Sequence, residues 1–238
     1  MKYKEYLNGN IKIYNCDCLE LIKSLENYSI DLCLTDPPYN QSFIGSGSLS
    51  KKYSYRRESI LKLSNFQPLE FLNILFPKLK TFNAYIWTSK NLLPDYLNWA
   101  NEKKLKWDNL VWIKNNPIPA YNNSYLSDIE YCIFMRASKA TWNNGLGYNF
   151  YRKALIENVA NNMQGHPTQK YLWMIERQLL ISSKENDIIF DGFMGSGTTA
   201  IACIKNNRKF IGCEIDEKYF DIACERIEQE LSQLDFFR

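Results

Sequence analysis

Asp187-Ile188-Ile189-Phe190-Asp191-Gly192-Phe193-Met194-Gly195-Ser196-Gly197-Thr198-Thr199-Ala200 decides how the rest of the chain is read. A short apolar run passes into a glycine turn and then into residues that open a helix, the repeating unit of an α/β sheet. Gly195-x-Gly197-x-x-Ala200 satisfies the dinucleotide fingerprint, whose glycines permit tight turning and close approach of a ligand to the backbone. No lysine follows the last glycine, so a phosphate-cradling Walker loop is excluded. Glu214 ends the next predicted strand, 22 residues after Gly192. An acidic residue there accepts hydrogen bonds from ribose hydroxyls, so the spacing points to an adenosine-type ligand. The plainer alternative is that Gly195 and Gly197 serve helix–strand packing and that Glu214 caps the helix beginning near Asp216.

Position narrows the reading. Only one clear strand remains after the glycine loop, so the rest of the sheet must come from the N-terminal side. There, the apolar run Ile30–Thr35 leads into Asp36-Pro37-Pro38-Tyr39. Ligands in open α/β sheets bind at the carboxyl ends of strands. Two prolines fix φ and remove two backbone donors, so this turn exposes acceptors. Asp36 and the Pro37 carbonyl suit the two hydrogens of an exocyclic amine, and Tyr39 offers a face to a planar ring. A plain turn covering a core edge is the competing view. Asp17, just after the first predicted strand, would reach the same cleft to bind an adenine amine, or would cap the helix beside it.

Strand and helix patterns alternate along the chain. Strands are predicted at Ile11–Tyr14, Ile30–Thr35, Ala84–Thr88, Leu110–Ile113, Ile129–Met135, Asp187–Phe190 and Phe210–Cys213. Helices are predicted at about Asp17–Leu25, Leu69–Leu79, Pro94–Lys103, Thr168–Ile181, Thr198–Asn206 and from Asp216 onward. Residues 41–65 read as a long loop, and 137–165 as an irregular insert. The expectation is one α/β domain over residues 1–238, with a mostly parallel sheet of about seven strands.

The 238 residues suffice for one large core, and 45% hydrophobic with 23% charged residues is ordinary for a globular chain. No run is long enough to span a membrane, and Met1-Lys2-Tyr3-Lys4-Glu5-Tyr6 lacks a signal-peptide core, so a cytoplasmic location is expected. Seven scattered cysteines and a single histidine, His166, give no zinc spacing and no serine-type triad, and no metal is expected. The net charge is +3, but the acidic segment from Glu214 onward leaves about +8 on the rest. Lys51, Lys52, Arg56 and Arg57 cluster in the first loop, and Arg136, Lys139, Arg152 and Lys153 form a second acid-free group. With interleaved aromatics such as Tyr53, Tyr55 and Trp142, both groups suit nucleic-acid phosphates and bases, although solvated surface is an alternative.

Taken in order, these segments resemble the β class of DNA amino-methyltransferases, circularly permuted enzymes that methylate exocyclic amines with S-adenosylmethionine. Cys16-Asp17-Cys18-Leu19-Glu20, Thr35-Asp36-Pro37-Pro38-Tyr39-Asn40, Trp112-Ile113-Lys114-Asn115, Glu130-Tyr131-Cys132-Ile133, Gly165-His166-Pro167-Thr168-Gln169-Lys170, the glycine loop and Gly212-Cys213-Glu214-Ile215 carry the likeness. Gly192 stands where the family usually has proline, as does Tyr171. The resemblance implies a Rossmann-like permuted fold and transfer of a methyl group to adenine N6 in DNA, releasing S-adenosylhomocysteine. It implies catalytic roles for Asp36, Pro37, Pro38 and Tyr39. It implies cofactor contacts from Asp17, Cys18, Asp36, His166, Thr168, Lys170, Asp191, Gly192, Phe193, Gly195, Ser196, Gly197, Thr198, Glu214 and Ile215. Cytosine-N4 methylation shares the acceptor geometry. An NAD-type oxidoreductase and a catalytically silent DNA-binding protein are the more distant alternatives. By analogy with the family, a homodimer is expected.

Overall fold

The computed structural model describes residues 2–38, 66–117, 125–158 and 170–236. Expectations for Tyr39, the loop 41–65 with Lys51, Lys52, Arg56 and Arg57, and for His166 and Thr168 lie outside the described residues.

Nine strands form one sheet among the described residues: β1 (Lys2–Tyr6), β2 (Ile11–Asn15), β3 (Leu32–Thr35), β4 (Asn83–Thr88), β5 (Lys106–Lys114), β6 (Ile129–Arg136), β7 (Ala154–Glu157), β8 (Ile188–Asp191) and β9 (Lys209–Glu214). Their spatial order is β1-β2-β9-β8-β3-β4-β6-β5-β7. The central pairs β2–β9, β9–β8, β8–β3 and β3–β4 are parallel, as is β5–β7, whereas β1–β2, β4–β6 and β6–β5 are antiparallel.

Six α-helices cover the sheet among the described residues: α1 (Cys18–Ser24), α2 (Pro68–Leu75), α3 (Leu93–Glu102), α4 (Leu172–Ser182), α5 (Thr198–Lys205) and α6 (Glu217–Phe236). Successive strand side chains point to opposite faces, and this alternation divides the interior into two cores. Leu32, Leu34, Tyr85, Trp87 and Ile189 pack with Met174, Leu179, Ala200 and Phe220 from α4, α5 and α6. Cys33, Ala84, Ile86 and Phe190 pack with Leu21, Phe71, Leu75, Tyr96 and Trp99 from α1, α2 and α3. The central strands are buried on both faces, which is why they read as continuous apolar runs. All seven cysteines are free; six of them are buried and Cys16 is half-buried.

Chain direction across the sheet reverses between β8 and β3. From β8 the path runs through α5 to β9 on one side, and from β3 through α2 to β4 on the other. Such a switch point opens a crevice at the carboxyl ends of the two strands. The turn at Asp36 and the glycine loop both begin there.

Two strands beyond the expected seven complete the edges. β1 is almost wholly exposed, and its charged and tyrosine residues carry no apolar face. It is held by pairing with β2 and by ion pairs to the acidic face of α6, Lys2 with Glu217 and Asp221 and Lys4 with Glu228. This is where much of the acidic C-terminal charge is placed. β7 lies inside the segment expected to be irregular; it follows a 3₁₀ turn at Tyr148–Tyr151 and pairs with β5. The expected helix at Leu69–Leu79 is shorter, because Pro77 enters and the last turn tightens to 3₁₀ at Phe76–Lys78.

Candidate active site

Asp191 ends β8 and organises the crevice. Its Oδ1 accepts from the Thr35 hydroxyl at 2.8 Å and from the Phe193 amide at 3.1 Å, and its Oδ2 accepts from the Thr199 hydroxyl at 2.7 Å. One buried carboxylate therefore ties the end of β3, the glycine loop and the first turn of α5. Burial pushes its carboxyl up to about 6, against the pull of those hydrogen bonds.

The loop needs its glycines. Gly195 and Gly197 sit at φ 51° and 82°, the left-handed region that favours glycine. A Cβ on Gly197 would also stand 3.1 Å from the Ala223 Cβ of α6, so this glycine both turns the chain and lets two helices approach. At Gly192 φ is ordinary, but a Cβ there would meet the Cys18 Cβ and the Phe190 ring at 3.2 Å. The loop thus packs directly on the start of α1. Phe193 points toward α2, its ring 5.3 Å from Phe66 and 5.7 Å from Phe71.

Ser196 and Thr198 are buried, and their side chains are engaged from the side of α6. Arg226 donates to the Ser196 carbonyl at 2.5 Å, to its hydroxyl at 2.7 Å and to the Thr198 hydroxyl at 3.4 Å. Both residues shape the loop through Arg226, a residue the sequence did not single out. Its one signal was being an arginine in a predominantly acidic helix.

Glu214 ends β9. Its Oε2 accepts from the Gly195 amide at 3.0 Å and its Oε1 from the Asp216 amide at 2.9 Å. It therefore clamps the loop and caps the turn that follows, while burial raises its carboxyl to about 7. Asn15 secures the same corner by donating to the carbonyls of Glu214 at 2.8 Å and Ile215 at 3.2 Å. Ile215 itself is 51% exposed, an apolar surface at the mouth. Asp17 caps α1, accepting from the amides of Leu19 at 2.8 Å and Glu20 at 3.3 Å, and Cys18 behind it is buried.

Asp36 follows β3 directly, with Pro37 buried and Pro38 half-buried beyond it. Leu32 and Cys33 pair with Ile189 and Phe190, and Thr35 bonds to Asp191, so Asp36 emerges beside the glycine loop. Lys170, for which the family likeness implies a cofactor contact, donates to Asp36 Oδ2 at 2.5 Å. It also lies 3.0 Å from Glu130, which Lys114 reaches at 2.6 Å. Lys114 and Glu130 were legible as members of segments that carry the family likeness, but not as partners of Lys170.

The second basic group is not brought to the crevice. β6 runs antiparallel to β4, so Arg136 pairs with Asn83 at the start of β4, the opposite end of the sheet from Asp36. Arg136 lies over Trp142 at 4.7 Å, and Lys139 is exposed in the turn that follows. Arg152 and Lys153 precede β7; the Arg152 carbonyl accepts from Arg177, and Lys153 pairs with Asp108.

A family model described as DNA methylase matches residues 30–225. Type II methyltransferase M2.LlaDCHI of Lactococcus lactis subsp. cremoris is 28% identical over 255 residues, covering 94% of this chain and 91% of that protein. Type II methyltransferase M2.DpnII of Streptococcus pneumoniae is 28% identical, covering 95% and 93%. Among solved structures, the M1.HpyAVI–SAM complex aligns with a TM-score of 0.68 at 30% identity, over 91% of this chain and 99% of that one. PvuII DNA methyltransferase (cytosine-N4-specific) has a TM-score of 0.71 at 16% identity, over 90% and 85%, a likeness of fold alone. The matched span takes in both the Asp36 turn and the glycine loop, and the chain belongs to the DNA methylase family.

Proposed function

We propose that this DNA methyltransferase modifies the N6 amine of adenine. The observation that carries the reading is the emergence of Asp36 and Pro37 beside the glycine loop at the β3–β8 switch point. Family membership sets the oxidoreductase reading aside.

The crevice suits S-adenosylmethionine. Asp191 and Glu214 set carboxyl oxygens around the glycine loop, and Asp17 stands at the start of the adjoining α1. The nearby cations Lys170 and Lys114 are directed to Asp36 and Glu130. An acceptor-rich mouth fits a ligand that bears a sulfonium, an amino group and ribose hydroxyls. When bound, S-adenosylmethionine supplies an electrophilic methyl group.

The chain's own residues then position the amine. Asp36 and the Pro37 carbonyl accept its two hydrogens, which turns the nitrogen lone pair toward the methyl group. Positive charge develops on that nitrogen, and a preorganised carboxylate stabilises it. Alignment of nucleophile and methyl supplies the remaining advantage. Tyr39 stacks on a base extruded from the duplex, because the amine is inaccessible inside it. Lys51, Lys52, Arg56 and Arg57 contact phosphates, and 137–153 contributes to site choice.

The reading extends to one methyltransferase domain over 1–238, acting in the cytoplasm as a homodimer within restriction–modification. No helix among the described residues is long and apolar enough to cross a membrane. Nucleoside analysis of DNA treated with the protein and S-adenosylmethionine tests the proposal. N6-methyladenine is the expected product; N4-methylcytosine would refute the adenine assignment, and unmodified DNA would refute both.

A further inference from the structure

We infer that Lys170, Glu130 and Lys114 are positioning residues for methyl transfer, which act through Asp36 by fixing its orientation and grading its counter-charge. This rests on the Asp36 reading above.

The four groups form an alternating row at the carboxyl end of the sheet. Lys170 Nζ donates to Asp36 Oδ2 at 2.5 Å, and it lies 3.0 Å from Glu130 Oε2 in an ion pair not aligned as a hydrogen bond. Lys114 Nζ stands 2.6 Å from Glu130 Oε1. Each ammonium also lies over an indole, Lys170 at 4.9 Å from the Trp87 centroid and Lys114 at 5.3 Å from that of Trp112. The row spans four neighbouring strands, from β3 past Trp87 of β4 to β6 and β5.

Stability alone is a weak reason for such a row. The Lys170 side chain is 5% exposed and those of Glu130 and Lys114 18% each. Well-packed apolar groups of similar volume commonly do as well as buried ion pairs or better. Each member instead has a distinct effect on Asp36. Lys170 tethers one carboxylate oxygen and so fixes the rotation of the group before the amine arrives. Glu130 divides the pull of Lys170, so the tether does not neutralise the carboxylate that must stabilise a cationic nitrogen. Lys114 holds Glu130 charged. Burial acts against the charge on Glu130, but Lys170 and Lys114 outweigh it and hold its carboxyl below the usual range. Burial likewise opposes the Lys170 ammonium, and Asp36 and Glu130 overcome it.

Other groups facing Asp36 are Asp191 from β8, Tyr96 from α3 and Cys132 from β6. Burial raises the Tyr96 phenol and the Cys132 thiol, so both stay neutral near physiological pH. Asp191 titrates in every variant alike, so differences between variants carry the test.

Single-turnover methyl transfer is measured for the wild type, Lys170→Gln, Lys170→Arg and Glu130→Gln across about pH 5–9, with S-adenosylmethionine affinity by calorimetry. Lys170→Gln should slow transfer about 100-fold and move the acid limb of the profile to higher pH, with affinity within about twofold. Lys170→Arg should restore most of the rate. Glu130→Gln should move the limb to lower pH, because Lys170 then serves Asp36 alone. A merely structural row would not give displacements of opposite sign. Equal displacements, or a tenfold loss of cofactor affinity with an unmoved limb, overturn the inference. If Lys170→Gln does not fold, an unmoved limb in Glu130→Gln overturns it. Thermal unfolding of Asp36→Asn, in the wild-type and Lys170→Gln backgrounds, reads the row without activity: non-additive losses support it and additive losses refute it. A wild type that transfers no methyl group would refute the parent reading instead.

Discussion

Replacing Thr35 by Val keeps the side-chain shape at the end of β3 and removes one donor from Asp191. The hydroxyl stands 2.8 Å from Asp191 Oδ1, and Thr35 is only 3% exposed, so water has no easy route to replace it. Asp191 would retain the Phe193 amide and the Thr199 hydroxyl. A hydrogen bond to a charged buried acceptor contributes about 1.5–3 kcal/mol, and one between neutral groups about 1 kcal/mol. Because the Asp191 carboxyl titrates near 6, it is ionised at pH 8 and protonated at pH 5 in the folded chain. The substitution should therefore cost about 2–3 kcal/mol at the higher pH and about 1 kcal/mol at the lower. The difference, about 1.4 kcal/mol, corresponds to a further rise of about one unit in the Asp191 carboxyl. Urea denaturation of both proteins at the two pH values gives these numbers directly. Equal losses at both pH values, or a loss below about 0.5 kcal/mol at the higher one, would show that Asp191 does not join β3 to the glycine loop.

Gly197→Ala should destabilise the fold by about 2–4 kcal/mol, from left-handed strain together with the 3.1 Å approach to Ala223; urea denaturation checks it, and a loss below about 1 kcal/mol would contradict it. Arg226→Met should release Ser196 and Thr198, weakening S-adenosylmethionine binding about tenfold by calorimetry; unchanged affinity would remove Arg226 from the loop's support. Folding stability without cofactor should fall as pH rises from about 4 to about 7. Asp191 and Glu214 have raised carboxyls when folded, so the folded chain binds more protons than the unfolded one across that window. Their combined effect is on the order of a few kcal/mol, and Glu130, held low, acts only at lower pH. Denaturation midpoints that rise across the interval would contradict this.

The parallel centre of the sheet was legible because strands buried on both faces become short apolar runs between turn residues. The meeting of Asp36 with the glycine loop followed from topology: too few strands remain after Glu214 to complete a sheet, so early strands must flank β8. The edges were harder. β1 contains no apolar face and depends on pairing and on α6, and β7 is four residues in a polar stretch. The location of Arg136 was not legible, because sequence proximity does not reveal that β6 returns antiparallel and carries Arg136 to the far end. The pairing of Lys170 with Asp36 and Glu130 was not legible, since these partners lie far away in the chain and meet it only through folding. Asp17 and Glu214 show how two readings coexist: each caps a local turn and lies at the start or end of an element bordering the crevice.

The central claim is that Asp36 and the glycine loop are two walls of one pocket, with Asp36 serving the amine. Asp36→Ala leaves Lys170 its partner Glu130, so the fold should persist. The decisive measurement pairs labelled methyl transfer to DNA with calorimetric S-adenosylmethionine binding in this variant. Transfer should fall by about 1,000-fold or more while cofactor affinity stays within about threefold. Transfer at the wild-type rate would contradict the account.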